Sequence, residues 1–409
     1  NTGAQPYANS DYFVALGSAA LPQLGIGVIH AVQRLNHIFR PGAEIGLRAE
    51  FSNRHQYVAD LFRARFEQLQ PYMPAHDPLP DERRQLIGSY FLAEYSLESA
   101  ALFNPSLVPH PDQTELNQGE LRFVLSLRAT GEGHISSITF RSGIIRADGR
   151  IDVFPPAGFL TEPLQIPNPV YEKPLFERKL TELGLEGAFS RKVMGALGQT
   201  FAPAELRNAL ITEEGHLTDK LSEQDRRASR GIWMLARSNY EVQFQADQEL
   251  SGRILFPATP SQRNGVEDAR FVRFRGEDST DTYYATFTAF DGKTIVPELV
   301  ETSDFLHFRF LTLNGPAAEN KGMAIFPRKI GGQYAMLSRQ DNENMYLMFS
   351  DNVHFWNKRQ VLLKPAFSWE LVQLGNCGSP IETEAGWLVL THGVGPMRRY
   401  CLGAILLDL

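Results

Sequence analysis

The densest group of chemically capable side chains is Asn264-Gly265-Val266-Glu267-Asp268-Ala269-Arg270, two adjacent carboxylates with an arginine two positions on. In such a group the cation can orient one carboxylate while the other takes up or releases a proton. On a regular strand Glu267 and Asp268 point to opposite faces, so only one of them is expected to face a given cavity. An acidic turn leading into a strand is the alternative reading of the same spacing. A second group is cationic: Lys321, then Arg328 and Lys329 around Phe326-Pro327, then Arg339 and His392. Cations at equivalent positions of a repeat would converge on an anion. Arg328 and Lys329 precede Gly331-Gly332 and read as hairpin charge. The histidines include no His-x-x-x-His pair with a nearby Glu, and no phosphate-binding Gly loop or nucleophile elbow occurs, so no metal is expected.

The elements that must position these groups have two textures. The first hundred residues read as helical. Ser52 or Asn53 would cap a helix whose apolar face runs Tyr57, Val58, Leu61, Phe62, Phe66 and Leu69. Pro71, Pro74, Pro78 and Pro80 break it, and Asp81 opens a second helix carrying Leu86, Ile87, Tyr90, Phe91 and Tyr95. From Ala101 short β-branched and aromatic segments appear (121–127, 135–140, 151–154), separated by Gly, Asp and Asn. A proline-rich connector, 155–174, leads to a helical stretch with a capping-box pattern at Ser222–Asp225, and strand texture resumes at Tyr240. The expected organisation is an N-terminal helical region at 1–100, a helical insertion at 161–235, and a mainly β unit from 101–160 and 236–409.

That β unit repeats itself. Ser303-Asp304-Phe305-Leu306-His307-Phe308 recurs as Ser350-Asp351-Asn352-Val353-His354-Phe355. A longer pattern of polar start, apolar strand, turn and strand ends at Thr288, Arg339 and His392, about fifty residues apart, the period of a β-propeller blade. Polar residues beside the inner strand starts are therefore site candidates, and Trp356, Trp369 and Trp387 are expected to pack blades.

Composition narrows the function. The 409 residues are 43% hydrophobic and carry a formal net charge of -7 without a basic run, which argues against nucleic acid as a partner. Cys377 and Cys401 cannot build a disulfide framework or a four-thiolate zinc site, and they fit a reducing compartment. The most apolar stretch, Tyr12 to Ile29, is interrupted by Ser18, Pro22 and Gln23, and the first basic residue is Arg34. Neither a membrane span nor a signal peptide is expected, and a cytoplasmic location follows.

Four motifs then appear in order: Gly265-Val266-Glu267-Asp268-Ala269-Arg270 followed by Tyr284-Ala285-Thr286-Phe287; Asn320-Lys321 with Ile325-Phe326-Pro327-Arg328-Lys329-Ile330; Trp369 with Gly386-Trp387-Leu388 and His392-Gly393-Val394; and Leu406-Leu407-Asp408-Leu409. The set resembles glycoside hydrolase family 130, five-bladed propellers that phosphorolyse or hydrolyse β-mannosides, with Ala269 in place of the signature proline. The resemblance implies a mainly β, five-bladed β-propeller with Asp268 as general acid, acting directly or through a sugar hydroxyl. It places Asn104, Glu267 and Arg270 at the sugar, and Arg128, Lys321, Arg339 and His392 on the phosphate or water side. An inverting phosphorylase needs one acid, because its phosphate nucleophile is already anionic and needs cations rather than a base. No cofactor is implied beyond phosphate as co-substrate.

Two departures from the family pattern shape the expectation. Gln373 stands where the phosphorylases carry a lysine, while Glu382 and Glu384 could supply the base a hydrolase needs. Family members also continue past Leu-Leu-Asp, so a chain lacking the last C-terminal strands is expected. The leading expectation is inverting phosphorolysis of β-mannosides. The alternatives are phosphate-independent inverting hydrolysis and a non-catalytic glycan-binding propeller. The apolar helix face at Tyr57 to Leu69 suggests a homo-oligomer contact.

Overall fold

The computed structural model describes residues 13–17, 43–70, 73, 78–167, 170–216, 222–290 and 295–409. Apart from the strand Phe13–Gly17, the interrupted apolar stretch lies outside them, as do Arg34, Pro71 and Pro74. The fold is mainly β. Among the described residues four antiparallel sheets of four or more strands follow one another along the chain, beside two two-stranded ones.

The first sheet is a meander of Ala101–Pro109, Leu121–Thr130 and Ser136–Ile145. The second runs Val266–Arg275, Asp281–Phe290, Ile295–Thr302 and His307–Thr312, and Tyr240–Gln243 and Leu164–Pro167 extend its outer edge. The third comprises Lys321–Ile325, Tyr334–Arg339, Met345–Ser350 and Gln360–Leu363. In the fourth, Gln373–Asn376 and Ile381–Thr383 pair with one edge of Gly386–Val394, and Tyr400–Leu407 pairs with the other. The first strands of successive sheets pack side by side: Val266–Arg275 lies against Ala101–Pro109 and against Lys321–Ile325, which in turn touches Gln373–Asn376.

The apolar residues explain the stacking. Both faces of the central sheets alternate apolar side chains, so each sheet must be covered on both sides. Val124, Ile138 and Phe140 of the first sheet share a core with Phe271, Ala285, Phe308 and Phe310 of the second. Val272, Phe274 and Leu299 leave the other face of the second sheet and pack with Met323, Ile325 and Met336 of the third. Phe326, Ala335 and Leu337 then join Leu374, Trp387 and Val389 of the fourth. Trp356 and Trp387 are buried between sheets, as their spacing predicts. Both copies of the duplicated Ser-Asp motif form turns before fourth strands, but different positions cap them: Asp304 Oδ1 accepts from the Leu306 and His307 amides, whereas Asn352 Oδ1, one position later in the repeat, accepts from the His354 amide.

The helices form two modules. Lys173–Glu182, Ala188–Gly195, Pro203–His216 and Glu223–Arg237 build a core of their own around Phe189, Val193, Phe201 and Ile232. The capping box at Ser222 is present, with Asp225 as its reciprocal partner. This module docks on the sheets through Lys179 Nζ to the Leu313 carbonyl (2.7 Å) and the Gly315 amide to Glu182 Oε1 (2.8 Å).

The N-terminal helices are Ala43–Phe51, Val58–Leu69 and Asp81–Ser89. Two details differ from expectation. The second of these helices begins without a side-chain cap, at Tyr57 (φ 54°). Ser52 instead closes the preceding helix, and Arg54 and His55 of the intervening turn are held by Glu94 (2.9 and 2.7 Å). Tyr95 lies on the strand Leu92–Ser96 rather than on a helix, because that segment pairs with Phe13–Gly17. Most of the helix face that suggested an oligomer contact is covered within the chain: Val58, Phe62, Phe66 and Leu69 are buried, and Phe66 and Leu69 pack on Ile87, whereas Tyr57 at its start is exposed.

Where the N-terminal module meets the first sheet, Arg141 and Glu98 form a buried pair at 2.7 and 2.8 Å, both side chains 1% exposed. Removing one partner of such a pair leaves an uncompensated buried charge. Glu98→Ala is expected to lower stability by about 3–5 kcal/mol, seen as a lower midpoint in urea unfolding of the full chain.

Candidate active site

Strand alternation fails at three corresponding places, and those failures make the site. Register shifts occur at Phe103/Ser106, Glu267/Arg270 and Lys321/Ala324, each on the first strand of its sheet. Each shift holds a residue in the left-handed region: Asn104 (φ 48°), Asp268 (φ 57°) and Gly322 (φ 85°). Asn, Asp and Gly are the residues that tolerate this conformation best. Such bulges insert one residue and re-aim side chains. Val266 and, past the bulge, Ala269 and Phe271 all face the same core, the change of parity that one inserted residue causes.

The consequence overturns the expectation that Glu267 and Asp268 face opposite ways. Both reach Arg128, which arrives from the first sheet: its NH2 donates to Glu267 Oε1 at 2.8 Å and its NH1 to Asp268 Oδ1 at 3.1 Å. Arg128 Nε donates to Ser136 Oγ at 2.8 Å. Asn104 Nδ2 donates to the same Asp268 oxygen. Asn104, Arg128, Glu267 and Asp268 are thus one cluster, and Arg128 belongs to the carboxylates rather than to the cation group.

The cations gather on the other side of Asp268. A cavity of about 20 Å³, room for one water, is lined by Asp268, Arg270, Thr286, Thr288, Lys321 and Arg339, among others. Lys321 and Arg339 stand opposite each other on paired strands, and Arg270 NH1 donates to the Gly322 carbonyl at 3.0 Å. Burial, then the charge of Arg339, pushes Arg270 down to about 10 despite the attraction of Asp268. Burial also lowers Arg339, opposed by Asp268 and Tyr400. Arg339 Nε is buried and makes no hydrogen bond among the described residues. Three cations therefore share a cavity with one carboxylate, an arrangement that attracts an anion.

His392 joins this group at 3.4 Å from Arg339 NH1. A guanidinium only donates, so His392 Nε2 accepts. Burial, then Arg339 and Arg270, push this imidazole down to about 4. His392 is consequently a neutral partner of Arg339 near neutral pH, not the cation expected. The fit is close: a Cβ at Gly375 would lie 2.9 Å from His392 Cε1 and 3.1 Å from Arg339 Cδ.

Several residues here carried no signal in the sequence. Cys377 Sγ lies 3.9 Å from His392 Nδ1, and the Tyr400 ring stacks on His392 with centroids 6.2 Å apart. Ser136 is a polar position at the start of an apolar strand, visible as an anomaly but without a motif. The proposed hydrolytic base does not reach the site. Glu382 is chelated by Arg328 at 2.6–3.1 Å and pairs with Trp387, five residues from His392 along the strand, roughly 17 Å away. Glu384 lies in the exposed hairpin beyond it. Lys329 pairs with Glu277 at 3.5 Å, as hairpin charge should. Among the described residues no group of three or more His, Cys, Asp or Glu side chains could hold a metal ion.

Comparison with known proteins finds similarity to mannoside phosphorylases. The sequence model of glycoside hydrolase family 130, described as beta-1,4-mannooligosaccharide phosphorylase, matches residues 228–409. A beta-1,2-mannobiose phosphorylase of Listeria innocua is 34% identical over 182 residues, 43% of this chain and 48% of the relative. A 1,2-beta-oligomannan phosphorylase of Thermoanaerobacter sp. is 32% identical over 158 residues, 37% of this chain and 50% of the relative. The chain thus spans about half the length of the curated relatives it matches. The solved Listeria innocua beta-1,2-mannobiose phosphorylase, in complex with beta-1,2-mannobiose, aligns over 77% of this chain and 73% of its own, at 21% identity and a TM-score of 0.40.

The neutral state of His392 can be measured. Its Hε1 resonance is expected to titrate with a midpoint near 4, well below an ordinary histidine. Arg339→Gln removes a positive neighbour, so the imidazolium becomes easier to form and the midpoint should move up.

Proposed function

We propose that this protein, whose residues 228–409 match the sequence model of glycoside hydrolase family 130, is an enzyme that cleaves β-mannosides by inverting phosphorolysis. Asp268 serves as general acid, and Arg270, Lys321 and Arg339 hold the phosphate once their side chains part to widen a cavity that now has room for one water. The observation that carries this reading is the division of the cavity around Asp268. A hydrogen-bonded carboxylate stands at one side, and an excess of buried cations, including the unpartnered Arg339 Nε, stands at the other. The phosphorylases to which the chain is similar support the substrate class.

The residues divide the work as follows. A phosphate oxygen attacks the anomeric carbon from the face opposite the leaving oxygen. The glycosidic bond breaks, and Asp268 gives its proton to the departing oxygen, directly or through a sugar hydroxyl. The products are a sugar 1-phosphate of inverted configuration and the released alcohol, and the proton carried by phosphate restores Asp268. Cations already gathered at the cavity before the substrate arrives stabilise the phosphate with little reorganisation, which is where preorganised charge is most effective. Asn104, bonded to Asp268, is placed to meet the mannosyl unit. Neutral His392 orients Arg339.

Hydrolysis fits the geometry less well. An inverting hydrolase separates its two carboxyl groups by about 6.5–9.5 Å, with water between the base and the sugar. Glu267 and Asp268 are instead held side by side on one guanidinium, and Glu382 is engaged at the far end of its sheet.

The expected result is release of mannose 1-phosphate from a β-linked mannobiose only when inorganic phosphate is present. Turnover unchanged on omitting phosphate would sink the phosphorylase. Asp268→Asn is expected to lower kcat by about 10²–10⁴-fold. Lys321→Ala should chiefly raise the KM for phosphate.

A further inference from the structure

Arg128 can hold Glu267 and Asp268 together only if its guanidinium lies in one plane and one rotation. Its own side chain does not fix that rotation, and the groups that do lie outside the cavity. Ser136, fully buried, accepts from Arg128 Nε at 2.8 Å and shares a second hydrogen bond with Thr130 Oγ1 at 3.3 Å. With Nε engaged there, NH1 and NH2 are left to the two carboxylates. The backbone of Ser136 also forms a parallel bridge to Gly265, which opens the motif carrying those carboxylates. The approach is tight: a Cβ at Gly265 (φ +140°) would sit 3.0 Å from the Ser136 amide nitrogen. One residue therefore fixes both the donor and the strand that bears the acceptors.

Ser136 is in turn fixed from the N-terminal segment. Tyr95, on the strand Leu92–Ser96, donates through its hydroxyl to the Ile135 carbonyl at 2.9 Å and accepts from the Ile135 amide at 3.2 Å. Both backbone groups of the residue preceding Ser136 are thus held by one buried phenol. Gly131, at the start of the same loop, packs against the Tyr95 ring so closely that a Cβ there would fall 2.4 Å from it.

We infer that Ser136, anchored by Tyr95, is a positioning residue for Asp268 and acts through Arg128. The inference rests on the proposed role of Asp268 and adds a task for the N-terminal segment, which supplies the outer support of the acid side. Ser136 touches neither sugar nor phosphate, so its loss should alter the chemical step and leave substrate binding alone.

The test uses the full chain with Ser136→Ala, Ser136→Cys (a weak acceptor of similar size) and Tyr95→Phe, assayed with β-mannobiose and phosphate. Both Ser136 variants are expected to lose about tenfold or more in kcat, with each KM within about twofold of the parent, and Tyr95→Phe to lose less in the same pattern. Full kcat in the Ser136 variants, or a change confined to the KM for phosphate, overturns the inference. If Ser136→Ala does not fold, Ser136→Cys and Tyr95→Phe carry the same comparison. A second readout separates this idea from the activity itself. The Arg128 Nε–H resonance, assigned by its disappearance in Arg128→Lys, should exchange slowly with water in the parent and rapidly in both Ser136 variants. That result supports the positioning role even if no mannoside is turned over. Unchanged exchange rejects it.

Discussion

Arg128 crosses from the first sheet to the second and meets two neighbouring carboxylates at 2.8 and 3.1 Å, and the rest of the site is arranged around that contact. Adjacent residues of a strand cannot normally share a partner, because their side chains leave opposite faces. Sharing becomes feasible here only because Asp268 adopts a left-handed backbone inside a bulge. The strain is offset by what the bulge allows: a hydrogen bond from Asn104, itself left-handed in a matching bulge, and an ion pair to a fixed guanidinium. A carboxylate held by two partners keeps one orientation, as the proposed proton delivery to a single atom requires.

The same bulge separates two electrostatic environments. On one side, Arg128 is matched by Glu267 and Asp268. On the other, Arg270, Lys321 and Arg339 share a cavity with Asp268; burial lowers both arginines, and the charge of Arg339 lowers Arg270 further. Buried like charges are unfavourable unless something of opposite sign joins them. An anionic co-substrate would relieve that repulsion, and this is the physical basis for assigning phosphate to that side. Holding His392 neutral avoids adding a fourth charge while still giving Arg339 an acceptor.

The helical modules have distinct relations to this centre. The module at 173–237 has its own core and touches the sheets through a few polar contacts at their outer loops, such as Lys179 to Leu313. The N-terminal module reaches inward, through Glu98 to Arg141 and through Tyr95 to the loop before Ser136. The first is an addition to the fold, whereas the second reaches the loop that meets Gly265, at the start of the strand that carries Asp268.

Much was legible in the sequence, and for a local reason in each instance. The mainly β texture and the fifty-residue repeat follow from period-two apolar alternation and turn residues, which depend on neighbours in the chain. The capping box at Ser222 and the turns at Asp304 and Asn352 are hydrogen bonds between residues two or three apart, so their spacing reveals them. The ordered motifs pointed to Asp268, Arg270, Lys321 and Arg339, which line one cavity, and to Asn104, which hydrogen-bonds Asp268. What the sequence could not fix depends on contacts between distant segments. One bulge, at Glu267/Arg270, lets both Glu267 and Asp268 reach Arg128, although only Asp268 lines the cavity. Arg128 moved from the anion side to the acid side, because Ser136 and the two carboxylates converge on it from different sheets. Burial beside two arginines, which no local pattern records, left His392 neutral. The alternating code of a strand states which face a side chain takes only while the strand stays regular, and this site is built where it does not.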